Sequence, residues 1–153
     1  MPSRNFKKNN QEAFLDDLVI GKNIEKKVLI SIQKKYPSAV LIPRKFSKYD
    51  IFVPEVEKKI EVKFDHKSQE TGNILIELFM FNKPSALLVT EADYWVIDTG
   101  KEIFWTTPKK ILECILINNI RSQEIIGDGD TEIKIACLIP KKIFEKYTVN
   151  TFQ

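Results

Sequence analysis

The chain has 153 residues, 43% of them hydrophobic and 10% aromatic, which is enough apolar material for a core and a length that suits one domain spanning 1–153. Its net charge is +3 with a pI near 8.7, a balance that permits a nucleic-acid partner without requiring one. The longest apolar run, 74–81, is broken by Glu77, and residues 1–10 are polar and basic with no apolar centre, so neither a membrane span nor a signal peptide is expected and the protein reads as cytoplasmic, with 1–10 flexible.

In chain order, residues 11–36 read as a long helix. Leu18, Gly21, Glu25, Val28 and Ile32 recur at alternating spacings of three and four, with Lys22, Lys26, Lys27 and Lys34 off that stripe, and Pro37 closes the segment. Three apolar or alternating runs follow, 39–43, 49–53 and 58–64, punctuated by Pro43 and Pro54, and a fourth at 73–79 follows the turn signal of 70–73. Residues 83–92 suit a helical turn or two, 93–99 and 102–107 a hairpin about Gly100, and 108–119 a helix with proline at its first position. A strand at 131–140 and a closing helix at 141–147 complete an α/β pattern, a mixed central sheet flanked by helices. Cys114 and Cys137 lie in apolar surroundings without metal-ligand spacing, which predicts buried free thiols and suits a reducing compartment.

The segment 49–65, YDIFVPEVEKKIEVKFD, carries more charge than a plain hairpin needs. Residues two apart on a strand share a face, so Glu61 and Lys63 point one way and Ile60, Val62 and Phe64 the other. Matching Ile51 and Val53 to the second face through a loop at 54–57 places Asp50 across from Glu61. Two carboxylates side by side destabilise a sheet unless a cation lies between them. A hard divalent ion such as Mg²⁺ suits two carboxylates, water and a substrate phosphate. Lys63 would then serve as an acid/base or as a clamp on developing phosphorane charge. A solvated face of a Lys/Glu-rich hairpin accounts for the tripeptide equally well, since Glu-x-Lys occurs four times, starting at Glu25, Glu57, Glu61 and Glu132. Only Glu61 and Lys63 combine an apolar strand with an aspartate on the preceding strand. Near Glu132 and Lys134, Asp128 and Asp130 belong to a glycine-rich turn and read as turn chemistry, and the segment lacks the glycine and glutamate of a calcium loop.

Glu25 sits in the middle of the helix's apolar stripe, where an unpaired carboxylate would cost several kcal/mol, so a partner is expected unless the helix rotates to let it reach solvent. Gly21, one turn earlier, costs about 1 kcal/mol against alanine and suits close approach of another backbone.

Helix Glu25, then Asp50, then Glu61-x-Lys63 between apolar strands resembles the PD-(D/E)xK nuclease superfamily. In order and spacing it is similar to Holliday junction resolvases and small phage endonucleases, with 70–78 and 83–98 also similar to the phage members. The resemblance covers about residues 14–98, and it departs from the pattern in having Tyr49 rather than proline before Asp50. It implies a restriction-endonuclease-like core, Mg²⁺ (with Mn²⁺ as substitute) on Asp50 and Glu61, Lys63 assisting the attacking water, and Glu25 completing the catalytic set. The expected activity is a Mg²⁺-dependent DNA endonuclease. A chain close to a bare catalytic core favours branched, nicked or junction DNA, and cutting both strands calls for a homodimer. A non-catalytic DNA-binding subunit and a sequence-specific restriction enzyme are the alternatives. Lys22 on the helix and Lys67, Gln69, Thr71 and Asn73 in the polar turn after the active strand are candidate DNA contacts, although exposed lysines on a turn are also ordinary. His66, the single histidine, is left outside the catalytic set because a lone loop histidine is more often solvated. Trp95, Phe104 and Trp105 read as core.

Overall fold

The computed structural model describes residues 10–43, 48–126 and 132–151, with the side chains of 10–14 and 17 outside the description. Helix α1, Asn10–Gln33, ends one turn before the expected 36, and the chain turns through 34–39 into the two-residue strand β1, Val40–Leu41. Strand β2, Ile51–Val53, is joined by a 3-10 turn, Pro54–Val56, to β3, Lys58–Phe64. After β3 come the one-turn helix α2, Ser68–Thr71, the long strand β4, Asn73–Met80, and the two-residue β5, Lys83–Pro84. A 3-10 turn at Ala86–Leu88 leads to the hairpin of β6, Tyr94–Asp98, and β7, Ile103–Thr106. Helix α3, Pro108–Ile117, strands β8, Ser122–Ile126, and β9, Ile133–Pro140, and the short α4, Lys141–Phe144, which runs on into a 3-10 turn at Glu145–Tyr147, complete the chain.

The fold is α/β, with a mixed five-stranded sheet in the order β1-β2-β3-β6-β7 and, separate from it, an antiparallel four-stranded sheet in the order β5-β4-β9-β8. In the first sheet only the central β3 and β6 run parallel, with Glu61 beside Trp95 and Lys63 beside Ile97. The second sheet corrects the expectation of one central sheet. The run at 73–79 does not continue the strand block; β4 pairs antiparallel with β9, some sixty residues on, from Asn73 opposite Pro140 to Met80 opposite Lys134. The diversion begins at Asp65, whose carboxylate accepts from the amides of both Ser68 and Leu75, closing the α2 turn and starting β4 in a new direction. Strand β8 escapes notice in the sequence because it is an edge strand, mostly exposed, with Ser122, Gln123 and Glu124 leading it.

Two apolar clusters lie on opposite faces of the mixed sheet. Val28 and Ile32 of α1 pack on Ile51, Val53, Ile60, Val62, Tyr94 and Val96. Trp95 and Ile97 face the other way, joining Ile74, Ile76, Cys137 and Ile139 of the second sheet, Ile111 and Cys114 of α3 and Phe144 of α4. Both cysteines are free and buried, as expected, and burial pushes both thiols up. Trp95 is core as read, with Phe104 and Trp105 packed against the two clusters. The predicted turn at Gly100 is present: its φ of +89° suits a residue without a side chain, and its amide donates to Asp98 Oδ1 at 2.7 Å. Helix α3 begins as expected with Pro108, preceded by Thr107, whose hydroxyl caps the Lys110 amide. Among the described residues no helix is long and apolar enough to cross a membrane. The expectations for 1–9 and for the glycine-rich turn with Asp128 and Asp130 lie outside the described residues.

Candidate active site

The apolar alternation that sets strand faces also fixes the register of β2 on β3. Ile51 pairs with Ile60 and Val53 with Lys58, so the next position places Asp50 opposite Glu61, as the matching of faces requires. The ladder stops there. The Asp50 amide donates to the Ile60 carbonyl at 2.9 Å, while the Val62 amide donates to Asp50 Oδ2 at 2.7 Å. A side chain thus replaces the backbone of β2 along the upper half of β3, and the chain of β2 is free to turn away toward β1, with the Asp50 carbonyl accepting from Ile42. The gap this leaves beside β3 is a cavity of about 590 Å³.

That cavity is lined by Gly21, Ile24 and Glu25 of α1, by Lys48, Tyr49 and Asp50 ahead of β2, and by 61–64 and His66. The four residues singled out for catalysis, Glu25, Asp50, Glu61 and Lys63, therefore come together around one space. Glu25 and Asp50 are buried, at 9% and 8% exposure, in keeping with a stripe that is buried from Glu25 onward through Val28 and Ile32. Nearer its start, at Leu18 and Gly21, the stripe is only half-buried. Lys63 Nζ lies 3.1 Å from Glu61 Oε1 and 5.5 Å above the Trp95 ring, a cation held by a carboxylate and an aromatic face.

Three acids, Glu25, Asp50 and Glu61, against two lysines, Lys48 and Lys63, leave an excess of negative charge in this half-closed space. Burial pushes the Asp50 carboxyl up from 3.8 to about 7, helped by the charges of Glu61 and then Glu25, against the opposing pull of the Val62 amide and Lys63. Its ionisation is thus opposed by its surroundings, and a cation in the cavity would favour it. Among the described residues no three His, Cys, Asp or Glu side chains form a ready-made metal cage. The donor set on offer is the pair Asp50 and Glu61, with any remaining positions left to water or ligand oxygen.

The candidate DNA contacts lie elsewhere than the cavity wall. Lys22 is exposed on α1, next to Gly21. The turn at 67–73 is in part the helix α2, with Lys67 exposed at its N-cap. The Gln69 side-chain Nε2 donates to the Thr99 carbonyl, the Thr71 hydroxyl accepts from the Asn73 amide, and Asn73 begins β4. The rival pair is dispersed: Lys134 pairs with Glu77 at 3.6 Å in the second sheet, and Glu132 lies on a separate cavity of about 310 Å³ with Glu124 and Phe81. Lys48 and Tyr49 also line the cavity, from irregular chain whose approach to α1 no local sequence pattern encodes. His66 is marked in the sequence by its place just past Lys63, from where it could touch a phosphate.

Comparison with known proteins returns no match: no family model, no curated protein and no solved structure matches the chain.

Proposed function

We propose that this protein is a Mg²⁺-dependent DNA endonuclease with a restriction-endonuclease-like core, similar to PD-(D/E)xK nucleases. The observation that carries the reading is the meeting of Glu25 of α1, Asp50 just ahead of β2, and Glu61 and Lys63 of β3 on one cavity. The donor set fits the ion. Asp50 is buried, its ionisation is opposed by burial and by two neighbouring acids, and Mg²⁺ commonly takes one or two carboxylates with water and phosphate oxygen completing its shell. Asp50 and Glu61 would hold it, and Mn²⁺ would substitute. Bound there, the ion would supply Lewis-acid polarisation of a phosphoryl oxygen and a bound water more acidic than bulk water.

The chain's own residues do the rest. The Val62 amide pins one oxygen of Asp50. Glu61 and the Trp95 ring hold the Lys63 ammonium at the cavity, where its N–H donors can meet negative charge that builds on the phosphate as water attacks and the P–O bond breaks. Glu25, on the opposite wall, supports the site by orienting water. Two copies of the chain would be needed to cut both strands at one place. A cytoplasmic setting is consistent with the two buried free thiols. Branched, nicked or junction DNA is the proposed substrate class.

The test is supercoiled plasmid with Mg²⁺ and with EDTA, followed by linear, nicked, single-stranded and four-way junction DNAs. Mg²⁺-dependent cutting that favours nicked or branched DNA supports the reading. Binding without cutting in Mg²⁺ or in Mn²⁺ points to a non-catalytic subunit, and discrete bands from plasmid point to a sequence-specific enzyme.

A further inference from the structure

At the lip of the carboxylate cavity two rings lie one on the other. The His66 imidazole is 5.0 Å from the Phe64 ring at an interplanar angle of 25°, and both residues line the cavity that holds Glu25, Asp50, Glu61 and Lys63. Phe64 is half-buried at the end of β3, whereas His66 is exposed. Among the described residues the imidazole makes this ring contact and no hydrogen bond.

The backbone on either side of it is held by several hydrogen bonds. The Asp65 amide donates to the Asp98 carbonyl at 2.9 Å, and the Asp65 carboxylate accepts from Ser68 at 3.2 Å and from Leu75 at 2.8 Å. The Ser68 hydroxyl donates to the Asp65 carbonyl at 2.6 Å, and the Gln69 amide to the His66 carbonyl at 3.1 Å. The bonds to Asp65 close the α2 turn and start β4, and they also fix the backbone that carries His66. A ring that must receive a flat ligand gains from it, because a surface ordered in advance loses less freedom on binding. The size agrees: about 590 Å³ is within the range of about 300–1,000 Å³ typical of small-ligand sites, the scale of one nucleotide rather than a stretch of duplex.

We infer that His66, stacked on Phe64, is a base-stacking platform that receives one unpaired nucleotide next to the phosphate to be cut, so that the substrate class is DNA with a displaced or frayed nucleotide. This rests on the nuclease reading above. It assigns to that site the feature that selects DNA structure: a paired base is stacked within its own helix and has no free face to offer, while an unpaired base of any kind can stack on an aromatic surface.

The test uses two nicked duplexes of the same sequence, one fully paired and one with a single unpaired nucleotide at the nick, that nucleotide being a fluorescent purine analogue that dims on stacking. Cutting is measured as kcat/KM in Mg²⁺, and dimming in EDTA. Wild-type protein should prefer the unpaired DNA about tenfold, the scale of one base stacked on an aromatic side chain. His66→Ala should lose most of that preference and most of the dimming, and His66→Phe should retain both. Equal preference in the wild type and His66→Ala overturns the platform while leaving the nuclease reading intact. If the wild type cuts neither these duplexes nor a four-way junction, the nuclease reading fails, and the dimming alone decides: the same response in the wild type and His66→Ala overturns the platform.

Discussion

Replacing Asp50 by asparagine keeps the side-chain shape and an oxygen to accept from the Val62 amide, and it removes the charge. In the folded protein the Asp50 carboxyl titrates at about 7 against an ordinary 3.8, first because it is buried and then because Glu61 and Glu25 stand near it. Between those values the folded chain holds a proton that the unfolded chain has already released. The contribution of Asp50 to stability is therefore fully present below 3.8 and is lost as pH rises toward 7, after which the loss is complete. At about 1.4 kcal/mol per pH unit the whole window is worth about 4 kcal/mol, and about two units of it lie above pH 5, or about 3 kcal/mol. Asp50→Asn has no such loss, so relative to wild type it should gain about 3 kcal/mol between about pH 5 and pH 8, or about 8 °C in Tm for a chain of this size. Urea and thermal unfolding of both proteins at the two pH values, without divalent ion, measure the difference. Adding Mg²⁺ at the higher pH should stabilise the wild type, by about 2.7 kcal/mol at a hundred times Kd, and leave Asp50→Asn unmoved. A stability difference that is the same at both pH values refutes the buried, charge-crowded Asp50 on which the site is built.

Lys63→Ala should melt near the wild-type temperature, because Lys63 is 41% exposed and its loss opens no core cavity, yet cleavage should fall about 100-fold or more. By calorimetry, Glu61→Gln and Asp50→Asn should each abolish tight Mn²⁺ binding, while Lys63→Ala, which removes a cation from beside two acids, should bind Mn²⁺ at least as well as wild type. Lys67→Ala should weaken DNA binding to a similar degree for all sequences and lower the salt slope by about 1, a result read by titrating binding against salt.

The candidate site was legible where local rules govern it. The period of two on β2 and β3, with the short 54–57 loop, leaves one register that buries Ile51, Val53, Ile60 and Val62 together, and that register carries Asp50 to Glu61. Glu25 announced itself by breaking the stripe of α1. Long-range pairing was not legible: nothing in 73–80 names β9 as its neighbour, since both faces of the strand carry apolar residues that either sheet could bury. The turn at 67–73 gave the opposite problem. Its polar residues suggest a surface offered to a ligand, while Gln69 and Thr71 spend their polar groups on the backbone of the fold.

The central claim is that Glu61 and Lys63, and no other Glu-x-Lys pair of this chain, belong to a metal-dependent cutting site. Cleavage of supercoiled plasmid in Mg²⁺ by the wild type, Lys63→Ala and Lys134→Ala, side by side, tests it most directly. The wild type and Lys134→Ala should cut at similar rates, Lys63→Ala about 100-fold or more slowly, and EDTA should stop all three. Cutting by Lys63→Ala at the wild-type rate, or its loss in Lys134→Ala alone, would contradict the account.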